Sequence, residues 1–586
     1  MKYSLSSGKS VIGNYLSPLI AFPKLRLVIL IGLFLVCASL FAKNHDTPTI
    51  TIHGISGKAQ TNVKQHMEEL KQLKPLSTYT PEELHEQIIK ALQPFGYFKA
   101  EVNVQRISDQ KLTIIIQPGP QIMISRITIE LIGEGAQNVT LRTALKNAAL
   151  KSATPFITED YNKTKQSLLD TAESLGYLHA NFKKNEILIN EEQYTAEITL
   201  IFDTGPLYYF GQVQFNPTYI SPKLLHRYVP FKPGQTYSSD KILQFNNNLS
   251  NSGYFSTVLV KPQITDASTV PTHVQVNSTP KYSYTLGAGY GTDTGVRGRA
   301  ALHVIPVNRS GHKFNALAQG SFVQNAIQAQ YVIPGTNPIT DQYSFTGNYS
   351  NLNYSAGYSN AWLLSLSQQH HLKSYKSLFS LNSLYEGFHY TLQKNTQQFL
   401  LYPKASISFI KTTDLLFSPS GYNITINGLA ANTAALSTIN FAQLSLDTKV
   451  AFKIEPWRLR LYGHFLQGFT AIDDINQQPL SLALLLGGTD NLKAYSFNSI
   501  GPGKILSYAG FEIQKETKKN WYLIAFYDAG AVYNPSPKET KYNAGLGLMW
   551  ISPLGPIKIG VAQEINNRWQ RTSHSPRLVI SMGPDL

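Results

Sequence analysis

Residues 281–586 alternate between apolar and polar side chains with a period of two. In "QLSLDTKVAFKI" the residues Leu444, Leu446, Val450, Phe452 and Ile454 share one face, and Ser445, Asp447, Lys449 and Lys453 share the other. "RLRLYGHF" sets Arg458, Arg460 and His464 against Leu459, Leu461 and Phe465, and "PIKIGVAQEI" sets Lys558 and Glu564 against Ile557, Ile559 and Val561. Such alternation specifies half-buried strands rather than helices. A soluble β-sandwich would also turn its apolar faces inward, but here the opposite face carries charge in strand after strand. That pattern suits a transmembrane antiparallel barrel with lipid outside and a wet lumen inside. A spanning strand needs about 9–11 residues, so the region holds roughly 14–18 strands.

Composition agrees with an aromatic-girdled barrel: 33 Tyr, 28 Phe and 40 Gly, with charged residues at only 15%. The net charge of +15 comes with no dense basic run of the kind a nucleic-acid binder clusters, so no nucleic-acid partner is expected. Part of the charge sits at the N-terminus. Lys2, Lys9, Lys24 and Arg26 precede "LVILIGLFLVCASLFA", an apolar run that ends in small residues at Ala42. Residues 1–42 therefore read as a secretory signal; an uncleaved anchor is the alternative, with a run somewhat short of the roughly 20 residues a span needs. Cys37, the only cysteine, lies inside the run. Cleavage leaves no thiol, and any further membrane contact must come from strands.

Between the leader and the barrel the chain repeats. "FGYFKAEV", "LGYLHANF" and "SGYFSTVL" place Gly-Tyr pairs at Gly96, Gly176 and Gly253, a period of about 80 residues. Each pair follows a helical pattern. Leu84, Ile88, Ala91 and Leu92 mark one face in the first repeat, after the capping box Thr80-Pro81-Glu82-Glu83. Tyr161, Leu168, Ala172 and Leu175 do so in the second, and Ile242, Phe245 and Leu249 in the third. Extended segments follow each pair. The order strand–helix–helix–strand–strand, three times over, predicts three small α+β modules at 47–122, 123–206 and 207–280, followed by the barrel at 281–586.

One late stretch stands apart: "GGTDNLKAYSFNSIGPG", Gly487 to Gly503, is long and specific for a barrel loop. With the three repeats and the barrel, it resembles the BamA/TamA superfamily of outer-membrane assembly and secretion proteins, the TamA branch in particular. "YVIPGTNPITDQYSF", "KTTDLLFSPSGY" and the ending "SMGPDL" resemble that branch too. The resemblance implies three POTRA repeats in the periplasm and a 16-stranded barrel in the outer membrane of a Gram-negative bacterium. It also implies that the loop opening at Gly487 and Gly488 folds back into the lumen as a strut. The family's Arg-Gly-aromatic tip is matched by Lys493, Ala494 and Tyr495, and its Phe-x-Asp-x-Gly strand motif by Phe526, Asp528 and Gly530. Lysine and alanine depart from the pattern: Lys493 lacks the planar fork of an arginine, and Ala494 restricts the turn. Alternation turns Leu523, Ala525, Tyr527 and Ala531 to lipid and Asp528 to the lumen.

The resemblance further implies a lateral seam between the first and last strands. On the first, Tyr284 lies on the face of Tyr282, Leu286 and Tyr290, with Gly287 and Gly289 on the other; on the last, Ile580 and Met582 point outward. Pro584 lacks an N–H and cannot extend a full ladder. The expected function is the insertion or translocation of outer-membrane proteins such as autotransporters, with a TamB-like inner-membrane-anchored partner and with outer-membrane lipids as a further cargo. The alternative is a two-partner-type secretion pore exporting one dedicated substrate. Neither Gly-x-Ser-x-Gly, His-Glu-x-x-His nor a phosphate-binding loop occurs in the sequence, so no enzyme, cofactor or metal site is expected.

Overall fold

The computed structural model describes residues 49–586 except 109–110, 266, 373, 415, 536–538, 554, 567–574 and 584. The expected signal at 1–42 and the seam residue Pro584 therefore lie outside the described residues. Two compact units emerge. Residues up to 172 together with 179–205 form one, and 173–178 together with 206–586 form the other.

The first unit holds two repeats. β1 (Thr49–His53), α1 (Gly57–Leu73), α2 (Pro81–Leu92), β2 (Glu101–Ser108) and β3 (Lys111–Gln117) make the first, with sheet order β1-β3-β2. The central β3 runs parallel to β1 and antiparallel to β2. The α2 cap forms as the sequence demands: Glu83 N–H donates to Thr80 Oγ1 at 3.1 Å, and Thr80 N–H donates back to Glu83 Oε2 at 2.8 Å. Leu84, Ile88, Ala91 and Leu92 are buried against Ile114 and Ile116 of β3 and Val63 and Met67 of α1, each burial stabilising by roughly 1.5–3 kcal/mol for the larger aliphatics. The second repeat has β4 (Met123–Ile132), α3 (Val139–Lys146), α4 (Thr158–Ser174), β5 (Asn181–Asn190) and β6 (Thr195–Asp203), again with the last strand central. Tyr161, Leu168 and Ala172 are buried, whereas Leu175, just past the end of α4, is half-buried.

The second unit opens with the third repeat: β7 (Tyr209–Phe215), α5 (Pro222–Leu225), α6 (Ser239–Ser250), β8 (Phe255–Pro262) and β9 (Thr269–Ser278), in order β7-β9-β8. Phe245 and Leu249 are buried and Ile242 packs at their edge. Gly96, Gly176 and Gly253 all have positive φ, 81°, 95° and 79°, which is why glycine recurs where each helix ends. Tyr254 of the third pair does more than pack. Its hydroxyl donates to the Gly311 carbonyl at 2.6 Å, and Lys313 Nζ donates to Ser252 O at 2.7 Å and lies 5.0 Å from the Tyr254 ring. Burial holds the Tyr254 hydroxyl protonated, well above its ordinary pKa. With Ser221 N–H bonded to Arg309 O at 2.9 Å, these contacts seat the third repeat on the turn between β11 and β12.

Sixteen strands follow. They are β10 (Tyr282–Gly291), β11 (Gly295–Val304), β12 (Lys313–Gly320), β13 (Gln324–Pro334), β14 (Asp341–Tyr354), β15 (Gly357–His371), β16 (Lys376–Tyr390) and β17 (Thr396–Lys411). The second half comprises β18 (Gly421–Ala431), β19 (Phe441–Ile454), β20 (Leu459–Ile472), β21 (Ile505–Lys518), β22 (Trp521–Tyr533), β23 (Lys541–Ser552), β24 (Gly555–Ile565) and β25 (Arg577–Met582). Each pairs antiparallel with its sequence neighbours, giving a 16-stranded, nearly closed barrel. Leu444, Phe452, Leu523, Leu546, Ile559 and Leu578 are exposed on the outer face, as a lipid belt requires. Ala531 shares the parity of Leu523 and Ala525 but, unlike them, is buried.

Candidate functional site

The loop between β20 and β21, residues 473–504, passes through the barrel and stands on two feet. The first is at the β14–β16 wall. Leu480 is buried among Leu352, Phe388 and Tyr390, Tyr390 Oη donates to Gln478 O at 2.8 Å, and Ser481 N–H donates to Glu386 Oε1 at 3.0 Å, with the Ser481 hydroxyl on the other carboxylate oxygen. Glu386 has no exposed surface, so its carboxylate depends on hydrogen-bond donors such as these.

The second foot carries Lys493. Its Nζ lies 3.0 and 3.1 Å from the Asp528 oxygens and 3.4 Å from Glu512, and 4.9 Å from the centre of the Phe526 ring. An ammonium has three donors and no fixed plane, so lysine serves two carboxylates at once where an arginine would grip one in a fork. Asp528 is completed by Tyr508 Oη at 2.8 Å and Asn543 Nδ2 at 2.7 Å, and Asn543 Oδ1 also accepts from Ala494 N–H at 3.4 Å. Gly530 supplies space: a Cβ there would come within 2.9 Å of Leu486 and 3.4 Å of Leu492, two buried loop residues. Gly487 must also be glycine, with φ of 111° and Ser496 O only 2.2 Å from where its Cβ would sit.

Behind this foot lies a buried ionic network. Lys558 bonds Glu512 at 2.9 Å and lies 3.5 Å from Asp585; the fully buried Arg460 grips Asp585 at 2.8 and 3.1 Å; Gln514 bridges Arg460 and Glu512. Three cations (Lys493, Lys558, Arg460) thus face three carboxylates (Asp528, Glu512, Asp585), so the desolvated charges compensate. Tyr462 Oη donates to the Asp585 carbonyl at 3.0 Å, which holds the end of the chain against the inner wall.

The seam is built differently. β10 and β11 share a ladder from Tyr282↔Val304 to Gly291↔Gly295, and β24 and β25 one from Ile557↔Met582 to Ala562↔Arg577. Between β10 and β25 no ladder forms among the described residues. They meet at Thr292, whose N–H is 3.4 Å from Ile580 O and whose Oγ1 accepts from Ile580 N–H at 3.1 Å. Beside that contact Asp293 accepts from Arg577 at 2.8 Å and from Thr489 N–H and Oγ1 at 2.6 and 2.7 Å. Arg577 in turn donates to the Lys493 carbonyl at 3.3 Å and to the Tyr495 carbonyl, so the loop, the first hairpin and the last strand share one clasp. Tyr284 is exposed outward, Met582 is exposed, Ile580 is half-buried, and Gly287 and Gly289 line the inner face.

Residues 316–584 match the Omp85 superfamily domain, residues 49–118 the POTRA domain TamA domain 1, and residues 208–279 the POTRA family described as the surface antigen variable number repeat. The chain carries an Omp85 superfamily barrel behind POTRA domains. Among solved structures it is similar to BamA from Haemophilus ducreyi lacking POTRA domains 1–3, with 16% identity, a TM-score of 0.65, and coverage of 79% of this chain and 98% of that one. It is also similar to CdiB from Escherichia coli, with 10% identity, a TM-score of 0.44, and coverage of 90% and 99%. The likeness to BamA is one of fold. An Omp85 barrel with this outer belt belongs in the outer membrane, its POTRA domains in the periplasm.

Lys493 and Asp528 were visible in the sequence as motif residues; Glu386, Glu512, Asp293, Arg577 and Asp585 were not. Glu512 carries a usable signal, since it alternates with the outward Phe511 and Ile513. Asp293 and Asp585 lie in a turn and a tail, where alternation says nothing.

Proposed function

We propose that this chain is an outer-membrane assembly factor that inserts or translocates outer-membrane proteins, autotransporters among them, with a TamB-like inner-membrane-anchored partner. In this reading the same pair also delivers lipid to the outer membrane. The observation that carries the proposal is the free edge of β10. Among the described residues its backbone groups from Tyr282 to Gly291 have a partner strand on the β11 side only, and an extended client segment can complete them by β-augmentation. Each added backbone bond contributes about 0.5–1.5 kcal/mol net, more where lipid excludes water. The loop acts as an internal strut in this scheme, keeping the β20–β24 wall rigid while the seam yields. The match of residues 49–118 to a TamA-type POTRA domain supports the TamA branch over its relatives.

Gentle detergent extraction of the tagged protein from its native membrane, with mass spectrometry of what co-purifies, tests the assignment. A large, inner-membrane-anchored, β-rich partner is the expected result. Several small lipoproteins would indicate a BamA-like core machine instead, and one secreted cargo an export pore.

A further inference from the structure

The free edge has a charge beside it that the barrel leaves uncompensated. The β10–β11 register sets Arg299 opposite Gly287 and Arg297 opposite Gly289. A Cβ built on Gly289 would lie 3.0 Å from Arg297 Nε, so the guanidinium crosses the lumenal side of the glycine. Arg297 also lines a cavity of about 300 Å³ bounded by Tyr290 of β10, Ile580 and Met582 of β25, and Lys493 and Glu512 of the network. Both arginines are exposed, and neither has a hydrogen-bond or ion-pair partner among the described residues. The nearby acids are engaged elsewhere: Asp293 by Arg577, Glu512 by Lys558, Asp585 by Arg460 and Asp490 by Lys449. Two like charges two residues apart on one face of a strand repel unless an anion joins them.

We propose that Arg297 and Arg299 read acidic side chains on the strand that pairs with β10. The inference rests on the seam reading above and adds the chemistry of the occupant. A strand laid on the β10 edge sits two strand spacings from β11, about 10 Å. Between the two, Gly287 and Gly289 offer no side chain, so a glutamate pointing into the lumen beside either glycine meets a guanidinium across an open corridor. The planar fork suits a carboxylate, and a lysine at the same place is repelled, so the site selects by both attraction and exclusion.

The test uses the full chain in phosphatidylcholine vesicles with Leu286→Cys, an exposed outward position on β10 that leaves the corridor intact. Three synthetic strand peptides share their apolar face and one cysteine, and carry glutamate, glutamine or lysine at the lumenal positions. Disulfide capture in a redox buffer is expected to favour the glutamate peptide over glutamine by roughly two- to fivefold per charge and to disfavour lysine. Arg297→Glu with Arg299→Glu should invert that order while capturing the glutamine peptide as wild type does, which shows the variant is folded; Arg297→Gln with Arg299→Gln should abolish the preference. Equal capture of all three peptides by the wild type overturns the charge reading and leaves the seam reading standing. Capture of none overturns both. If phosphatidylglycerol vesicles erase the preference and the double glutamate variant stops retaining that lipid, the arginines serve a phosphate headgroup and the proposal fails.

Discussion

The wall from β20 to β24 and the seam from β10 to β25 belong to one sheet, yet they are held by opposite means. The wall is backed by a neutral, buried network of three cations and three carboxylates that reaches into the loop and the chain end. Among the described residues the seam is held by two hydrogen bonds at Thr292 and the Asp293–Arg577 clasp. A closed barrel has no need of such asymmetry, because a continuous ladder would stabilise every joint alike. A barrel that must open in one place needs its rigidity elsewhere, and here the buried charges tie the wall together while no ladder joins β10 to β25 among the described residues.

The largest expected effect comes from Lys493→Glu, which sets a third acid beside Asp528 and Glu512. Breaking a buried pair costs about 3–5 kcal/mol, so the loop should leave its foot, become cleavable by protease added outside, and client assembly should be lost. Undiminished protection and assembly would show that the foot does not anchor the loop. Next is Arg460→Met, which keeps apolar bulk but strands Asp585. The chain end should detach at a cost of about 3 kcal/mol, seen as faster hydrogen exchange in Arg577–Met582 with the loop still protected. Asp293→Asn should loosen only the clasp, by about 1 kcal/mol, with exchange rising at Arg577 and Thr292 and the wall unaffected. Lys449→Ala removes an ion pair to Asp490, which is largely exposed, and should change barrel stability by less than about 1 kcal/mol in a denaturant titration.

The same contrast explains what could be read in advance. The repeats were legible because local rules fix them: a capping box at Thr80, an i, i+3, i+4 face, and a glycine whose positive φ ends each helix. The strands were legible because Leu444, Leu446, Val450 and Phe452 keep period two. The Lys493 foot was visible only through the likeness of its motif to a known family. The rest of the network was hidden because its partners are remote in sequence. Arg460 and Asp585 are 125 residues apart, and Ser481 and Glu386 are 95 apart, so no local periodicity encodes either pair. Ala531 shows the complementary failure: parity gives the face of a residue but not how far it is buried. The corridor at Gly287 and Gly289 was visible as glycines on the first strand, but its arginines acquire meaning only once the register sets them side by side.

The central claim is that the seam yields while the wall does not, and the most direct measurement is a reversible lock. Cysteines at Thr292 and Ile580 stand where the strands approach, at two residues of outward parity bonded to each other, with Ile580 N–H 3.1 Å from Thr292 Oγ1. Oxidation in a membrane-reconstituted assembly assay should stop client insertion, and reduction should restore it. Insertion that continues at the unlocked rate with the disulfide fully formed would contradict the account.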